Sequence, residues 1–218
     1  MAIAEYSGIT VFKSYFRLAE NTRLRSPQQP QARERYVAFY RPTPRMIIEA
    51  KIISQPYSGE YTERIYDNES EWNSQSWTFI KFINDDYSEW CGQFRGFSRQ
   101  VAISTSKNIV LVLTSDYLYQ LDRETGNLAD FEDQPQYQNL TVAPNGDFIL
   151  ADYYNFEKVT TTIKEKEQIE SPIQMDLIKF KKWNNSKLEF TCDEFLNWDR
   201  HLTMTYDTET KKIEIVNG

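Results

Sequence analysis

The sequence predicts an all-β protein, and three observations carry that prediction. Aromatic residues form 15% of the 218 residues, with 14 Tyr, 13 Phe and 5 Trp, and such side chains favour pleated, half-buried surfaces. Runs of β-branched and aromatic residues recur along nearly the whole chain, bounded by Asn, Asp, Gly and Pro, whereas helical periodicity is scarce. The hydrophobic share, 40%, is enough to bury the core of one domain spanning 1–218.

Taken in order, "RYVAFYR" (35–41), "RMIIEAKIIS" (45–54) and "WTFIKFI" (77–83) read as strands. "NIVLVLTS" (108–115) has five consecutive apolar residues, the pattern of a strand covered on both faces. "GDFILADYY", "KLEFTCDEF", "HLTMTYD" and "KKIEIV" continue the series, and Asn145-Gly146 supplies a tight hairpin turn because both residues accept positive φ. Three segments read otherwise. Residues 20–35, polar, basic and interrupted by Pro27 and Pro30, predict an exposed loop; 127–138 predicts an acidic connection; 162–172 fits either a helical turn or a charged hairpin tip.

A repeat runs through the strands. Placing Val110 over Ile149 and Leu188 gives two successive offsets of 39 residues. Each copy is an apolar strand running into a small residue, an Asp and an aromatic or acidic residue: Ser115-Asp116-Tyr117, Ala151-Asp152-Tyr153, Cys192-Asp193-Glu194. Asp86-Tyr87 ends a weaker fourth copy. A period near 40 residues with several strands per unit resembles β-propeller blades. "TVAPNGDFILADYYNFEKV" resembles a blade's strand, hairpin, strand, Asp-turn and strand, and Asp122, Thr125 and Gly126 match the Asp-x-x-Thr-Gly hairpin with which some blades close. The resemblance covers 75–215, without the Trp-Asp ending of one large family and with only 7 glycines. It implies four or five small blades; a meander sandwich or barrel is the other architecture the strands allow.

The sequence holds no recognisable catalytic constellation. His201 is the only histidine, two residues from Asp199, and no Gly-x-Ser-x-Gly elbow accompanies it. Cys91, Cys192 and His201 are too dispersed for zinc. The acidic turns at 67–73 and 84–86 lack the glycine of a calcium loop, and "GQFRG" at 92–96 has no phosphate-loop ending. No cofactor or metal is predicted. The repeated Asp residues can cap their own turns through the following amides, or stand with aromatic neighbours around a carbohydrate.

Charge and composition point to binding. The net charge is −7, with +4 over residues 1–50 and −11 over the rest, so the average surface repels a nucleic-acid backbone. A basic protein partner is favoured by charge steering, and Arg23, Arg25, Arg33 and Arg35 offer a separate basic segment. No stretch approaches a membrane span, and two cysteines with no signal-like start predict a cytoplasmic protein. The expected activity is non-enzymatic protein binding, of inhibitor, immunity or assembly-subunit type, with carbohydrate binding or processing as the alternative. Candidate binding residues are Trp72 and Trp198, flanked by charge, together with Asp116, Tyr117, Asp152, Tyr153 and Asp193.

Overall fold

The computed structural model describes residues 45–67 and 74–217, apart from the Trp198 side chain, and the backbone of 5–6, 9–12 and 37–39. Two compact units are distinguished, 1–44 and 45–218. In the first, β1 (Glu5–Tyr6), β2 (Ile9–Phe12) and β3 (Val37–Phe39) form an antiparallel sheet in that order. The loop expected at 20–35 lies outside the described residues.

The second unit is all-β. Its first sheet runs in the order β4 (Ile47–Ile53), β6 (Trp77–Asn84), β7 (Glu89–Arg95), β5 (Thr62–Tyr66), with β5 parallel to β7. Three antiparallel meanders follow. The second sheet holds β8 (Ser98–Ser104), β9 (Ile109–Thr114), β10 (Tyr117–Asp122) and β11 (Leu128–Asp133). The third holds β12 (Asn139–Val142), β13 (Phe148–Ala151), β14 (Phe156–Val159) and β15 (Lys166–Ile169). The fourth holds β16 (Met175–Asn184), β17 (Lys187–Glu194), β18 (Asn197–Asp207) and β19 (Lys212–Asn217). Four four-stranded sheets make a propeller-like stack, and no α-helix occurs among the described residues.

Stacking follows from the two-sided apolar strands. On β9, Val110 and Val112 enter the core shared with the first sheet, while Leu111 and Leu113 enter the core shared with the third. On β13, Phe148 and Leu150 face the second sheet, and Ile149 and Ala151 face the fourth. A period of two with both phases apolar leaves no wet face, so each such sheet needs a neighbour on either side. Each large side chain so buried contributes about 1.5–3 kcal/mol. Val110, Ile149 and Leu188 do fall on the same strand of their sheets, β9, β13 and β17. Ile149, however, faces the following sheet while the other two face the preceding one. A 39-residue offset matches the strands and shifts one register by a residue, which inverts the face.

Polar pairs tie the sheets where the chain turns. Arg123 Nε donates to Ile47 O at 2.8 Å, and Ile47 N donates back to Arg123 O at 3.0 Å. Gln120 Oε1 accepts from Ile163 N at 3.0 Å. Asn139 Nδ2 donates to Ile178 O at 2.9 Å while its Oδ1 accepts from Phe180 N at 3.2 Å. Each such bond satisfies a group that stacking would otherwise strand away from water.

One segment differs from expectation, and a second resolves as one of its two alternatives. Residues 128–133, expected as a connection, are β11, an outer strand on which Asp130 and Glu132 share the partly buried face of Leu128, paired with Lys164 and Lys166, while Phe131 is exposed. Residues 162–172 resolve as a hairpin tip and β15, with Glu165 N bonded to Thr162 O. The Asp122 hairpin forms as predicted, whereas the Asn145-Gly146 pair sits in a five-residue loop between Val142 and Phe148 in which Gly146 alone of the pair takes positive φ, +89°. Thr125 N donates to Asp122 Oδ1 at 2.8 Å, and Gly126 sits at φ +68°, where an added Cβ would come within 3.0 Å of the Trp90 ring.

Candidate functional site

One end of the second, third and fourth sheets collects the β9–β10, β13–β14 and β17–β18 turns. The three sheets run in the same sense there: the Arg99 guanidinium donates to Tyr137 O, Ile178 N donates to Tyr153 O at 3.4 Å, and Phe195 N donates to Gln174 O at 2.9 Å. Among the described residues of these sheets and the loop leading into β8, nine large apolar side chains are exposed, and six of them stand at this end: Phe97, Tyr153, Tyr154, Leu177, Phe195 and Leu196. Phe97 is 71% exposed and Leu196 79%. The rings form a chain, with Tyr153 edge-on to Tyr154 at 6.3 Å and Tyr154 edge-on to Phe195 at 6.0 Å.

Two aspartates of the repeat bond the segments that carry these rings. Asp152 Oδ1 accepts from Tyr154 N and Asn155 N, both at 2.6 Å, and Oδ2 accepts from Asn155 Nδ2 at 3.3 Å. Asp116 Oδ1 accepts from Ser115 Oγ at 2.6 Å, and that hydroxyl in turn accepts from Phe97 N at 2.8 Å. Asp116 Oδ2 is buried without a hydrogen-bond partner among the described residues. Asp193 Oδ1 lies 2.6 Å from His201 Nδ1 across the β17–β18 pair. Thus the histidine's partner is Asp193, opposite it in register, rather than Asp199. At the fourth sheet's tip, Glu194 accepts from Asn197 Nδ2 and Arg200 Nη1, each at 2.8 Å. These two bonds, the Asn197 bond first, hold its carboxyl below the usual range. Carboxylates dominate this end: Asp133, Asp152, Glu170, Asp176, Asp193 and Glu194, against Arg99, Lys179 and Arg200.

Sequence-predicted residues divide accordingly. Tyr117 is a core residue, 2% exposed between the first and second sheets and packed on Tyr119 and Phe131; its alternation on β10 turns it inward. Asp152 braces its turn, Asp116 accepts from the Ser115 hydroxyl, Asp193 pairs with His201 on the neighbouring strand, and Tyr153 is exposed as expected. Trp72 lies outside the described residues, and so does the side chain of Trp198. Trp90 is buried under Arg64, whose guanidinium lies 4.6 Å from the ring centre, and Trp183 Nε1 donates to Thr141 Oγ1 at 3.0 Å. Asp86 does not join the other aspartates. The β6–β7 turn lies beside the β10–β11 turn, where Ile47 meets Arg123, at the opposite end of the stack. Asp86 there accepts from Ser88 N at 2.9 Å and pairs with Arg45 at 2.9 Å. Cys91 and Cys192 are separate buried thiols, and burial pushes Cys192 up to about 11.

Comparisons with known proteins come to partial structural likenesses. No family model matches the chain, and no curated protein matches it. Among solved structures it is similar to a chain from a Saccharomyces cerevisiae complex of a Dbp5 variant bound to Nup159, a Gle1 variant, IP6 and ADP: 10% identity, TM-score 0.39, 56% of this chain and 34% of that one. The N-terminal domain of Nup159 gives 10% identity and TM-score 0.39 over 56% of this chain and 35% of that one. Hsv2 from Kluyveromyces marxianus gives 11% identity and TM-score 0.36 over 66% and 56%. The chain spans about a third of the first two. The propeller-like architecture therefore rests on the four stacked sheets themselves.

Sequence reasoning missed Phe97, Tyr154, Leu177, Phe195 and Leu196. One signal was legible: "DEFLN" places Phe195-Leu196 between two strand runs, where a two-residue turn ordinarily carries Gly or Asn. Beneath the rings, a cleft of about 570 Å³ opens between the third and fourth sheets, lined by Tyr154, Ile169, Ile173, Met175 and Phe195 with Glu170 among its polar groups. Among the described residues no group of three or more His, Cys, Asp or Glu is placed to hold a metal, and no helix is long and apolar enough to cross a membrane.

Proposed function

We propose that this chain is a protein-binding module that engages a basic partner through the turn-lined end of its second, third and fourth sheets, as an inhibitor or as a subunit of an assembly. The observation that carries the reading is the concentration of exposed rings and leucines on turns braced by carboxylates. An apolar patch on a soluble surface is costly to leave in water and marks an interaction site, and aromatic side chains fixed before contact lose little entropy on binding. The carboxylates around the patch supply the complementary field for a cationic partner and set the approach rate.

Full-length chain carrying Tyr154→Ser with Leu196→Asn is compared with the parent and with Tyr87→Ser, a ring 82% exposed at the other end. Each is incubated with native lysate at low and moderate salt; the retained protein is identified by mass spectrometry and the complex re-formed from purified components. Loss of the re-formed complex only with the double variant supports the reading. Equal binding by all three proteins, or loss only with Tyr87→Ser, refutes it.

A further inference from the structure

We propose that the cleft between the third and fourth sheets receives one basic side chain, arginine or lysine, carried by an extended segment of a protein partner; the inference rests on the reading of the turn-lined end as a binding face. At about 570 Å³ the cleft is of the size that encloses a ligand group. Its aromatic walls, Tyr154 and Phe195, meet at 84° with ring centres 6.0 Å apart, so a cation entering the corner reaches the electron-rich face of one ring and lies beside the other. Ile169 and Met175 line the interior and suit the methylene stem of a long basic side chain. Glu170, also lining the cleft, has no basic partner among the described residues and offers the counter-charge.

Backbone strain is kept at two exposed leucines of the fourth sheet. Leu196 holds φ +61° on the β17–β18 turn, and Leu177 holds φ +52° at a bulge in β16. Both side chains are exposed, and left-handed backbone disfavours any residue with a bulky Cβ substituent. At the other end of the same strand pair, the β16–β17 turn fills its left-handed position with Asn185, φ +53°, which tolerates it. Strain kept on the Leu196 turn, next to Phe195, points to a function there. A segment with a cation between apolar neighbours answers Glu170 with its charge and covers Leu196, on the turn that carries Phe195, with its apolar groups.

The test uses the full chain labelled with ¹³C-methyl methionine. Met175 lines the cleft, Met204 lies in the core between the same two sheets, and Met46 is at the far end of the stack. The probe is the blocked tripeptide Gly-Arg-Gly, with Gly-norleucine-Gly as its uncharged comparator. The expected result is a saturable shift of the Met175 methyl with the arginine probe alone, with Met46 unmoved. Glu170→Gln and Tyr154→Leu should each weaken that response by about three- to tenfold, while unchanged Met46 and Met204 signals show an intact fold. A silent Met175, an equal response to norleucine, or undiminished binding by both variants overturns the proposal. Should the probe fail while Tyr154→Ser with Leu196→Asn still abolishes the partner complex, the binding face stands and the assignment of its cleft falls.

Discussion

Truncating Val110 and Leu111 one at a time to alanine separates a stack of sheets from a sheet with one wet face. The two residues are adjacent on β9 and both are 0% exposed, yet Val110 packs against the first sheet and Leu111 against the third. Leu→Ala in a core costs about 2–5 kcal/mol once the residual cavity is included. Val→Ala removes two methyl groups at about 0.8 kcal/mol each, so about 2 kcal/mol with its smaller cavity. For a chain of this size each kcal/mol lowers the melting temperature by about 2–4 °C. The expected losses are therefore about 4–8 °C for Val110→Ala and roughly 4–20 °C for Leu111→Ala. Urea unfolding followed by tryptophan fluorescence, with circular dichroism melts beside it, measures both. On a strand with one solvated face, one of two neighbours points to water and its truncation costs no more than about 0.5 kcal/mol. A loss that small for either variant refutes the two-sided packing.

Other expectations concern turns and titration. Gly126→Ala should destabilise by about 1–3 kcal/mol, since the residue sits at φ +68° and its new methyl would press on Arg64 and Trp90; a urea midpoint equal to the parent's would contradict the assigned turn. Asp152→Ala should cost about 1–2 kcal/mol by releasing the Tyr154 and Asn155 amides, and an unchanged thermal midpoint would show that the aspartate is no brace. Burial pushes the Tyr66 hydroxyl up to about 12. The folded chain therefore holds that proton more tightly than the unfolded one, and the stability it contributes is whole below about pH 10 and declines as pH rises toward 12. Urea midpoints should fall across that interval, and Tyr66→Phe should flatten the fall; an equal slope in both proteins would contradict the burial.

How much of this was legible in the sequence differs from level to level. The strand order of the last three sheets was readable because each strand pairs with its chain neighbour, so local alternation and turn residues such as Asp122, Thr125, Gly126 and Gly146 suffice to place it. The first sheet was not readable in the same way: β5 leaves chain order to pair in parallel with β7, and only the fold decides that partner. Asp86 also lies at the opposite end from Asp116, although the two share a sequence pattern. Tyr117 and Tyr153 both follow an Asp, yet one is core and one is surface, since the β9–β10 turn is shorter and returns Tyr117 to the strand at once. The His201 partner, Asp193, depends on cross-strand register, which the spacing along one strand cannot supply. The repeat thus revealed where turns lie but not which of their side chains face water.

Hydrogen–deuterium exchange on the re-formed complex bears most directly on the binding face. The account predicts that the partner slows exchange at 152–155 and 194–197, the turns that carry Tyr154 and Leu196, while 85–88 and 124–126 at the other end of the stack exchange as in the free chain. Protection confined to 85–88 and 124–126, with the ring-bearing turns unaffected, would contradict it.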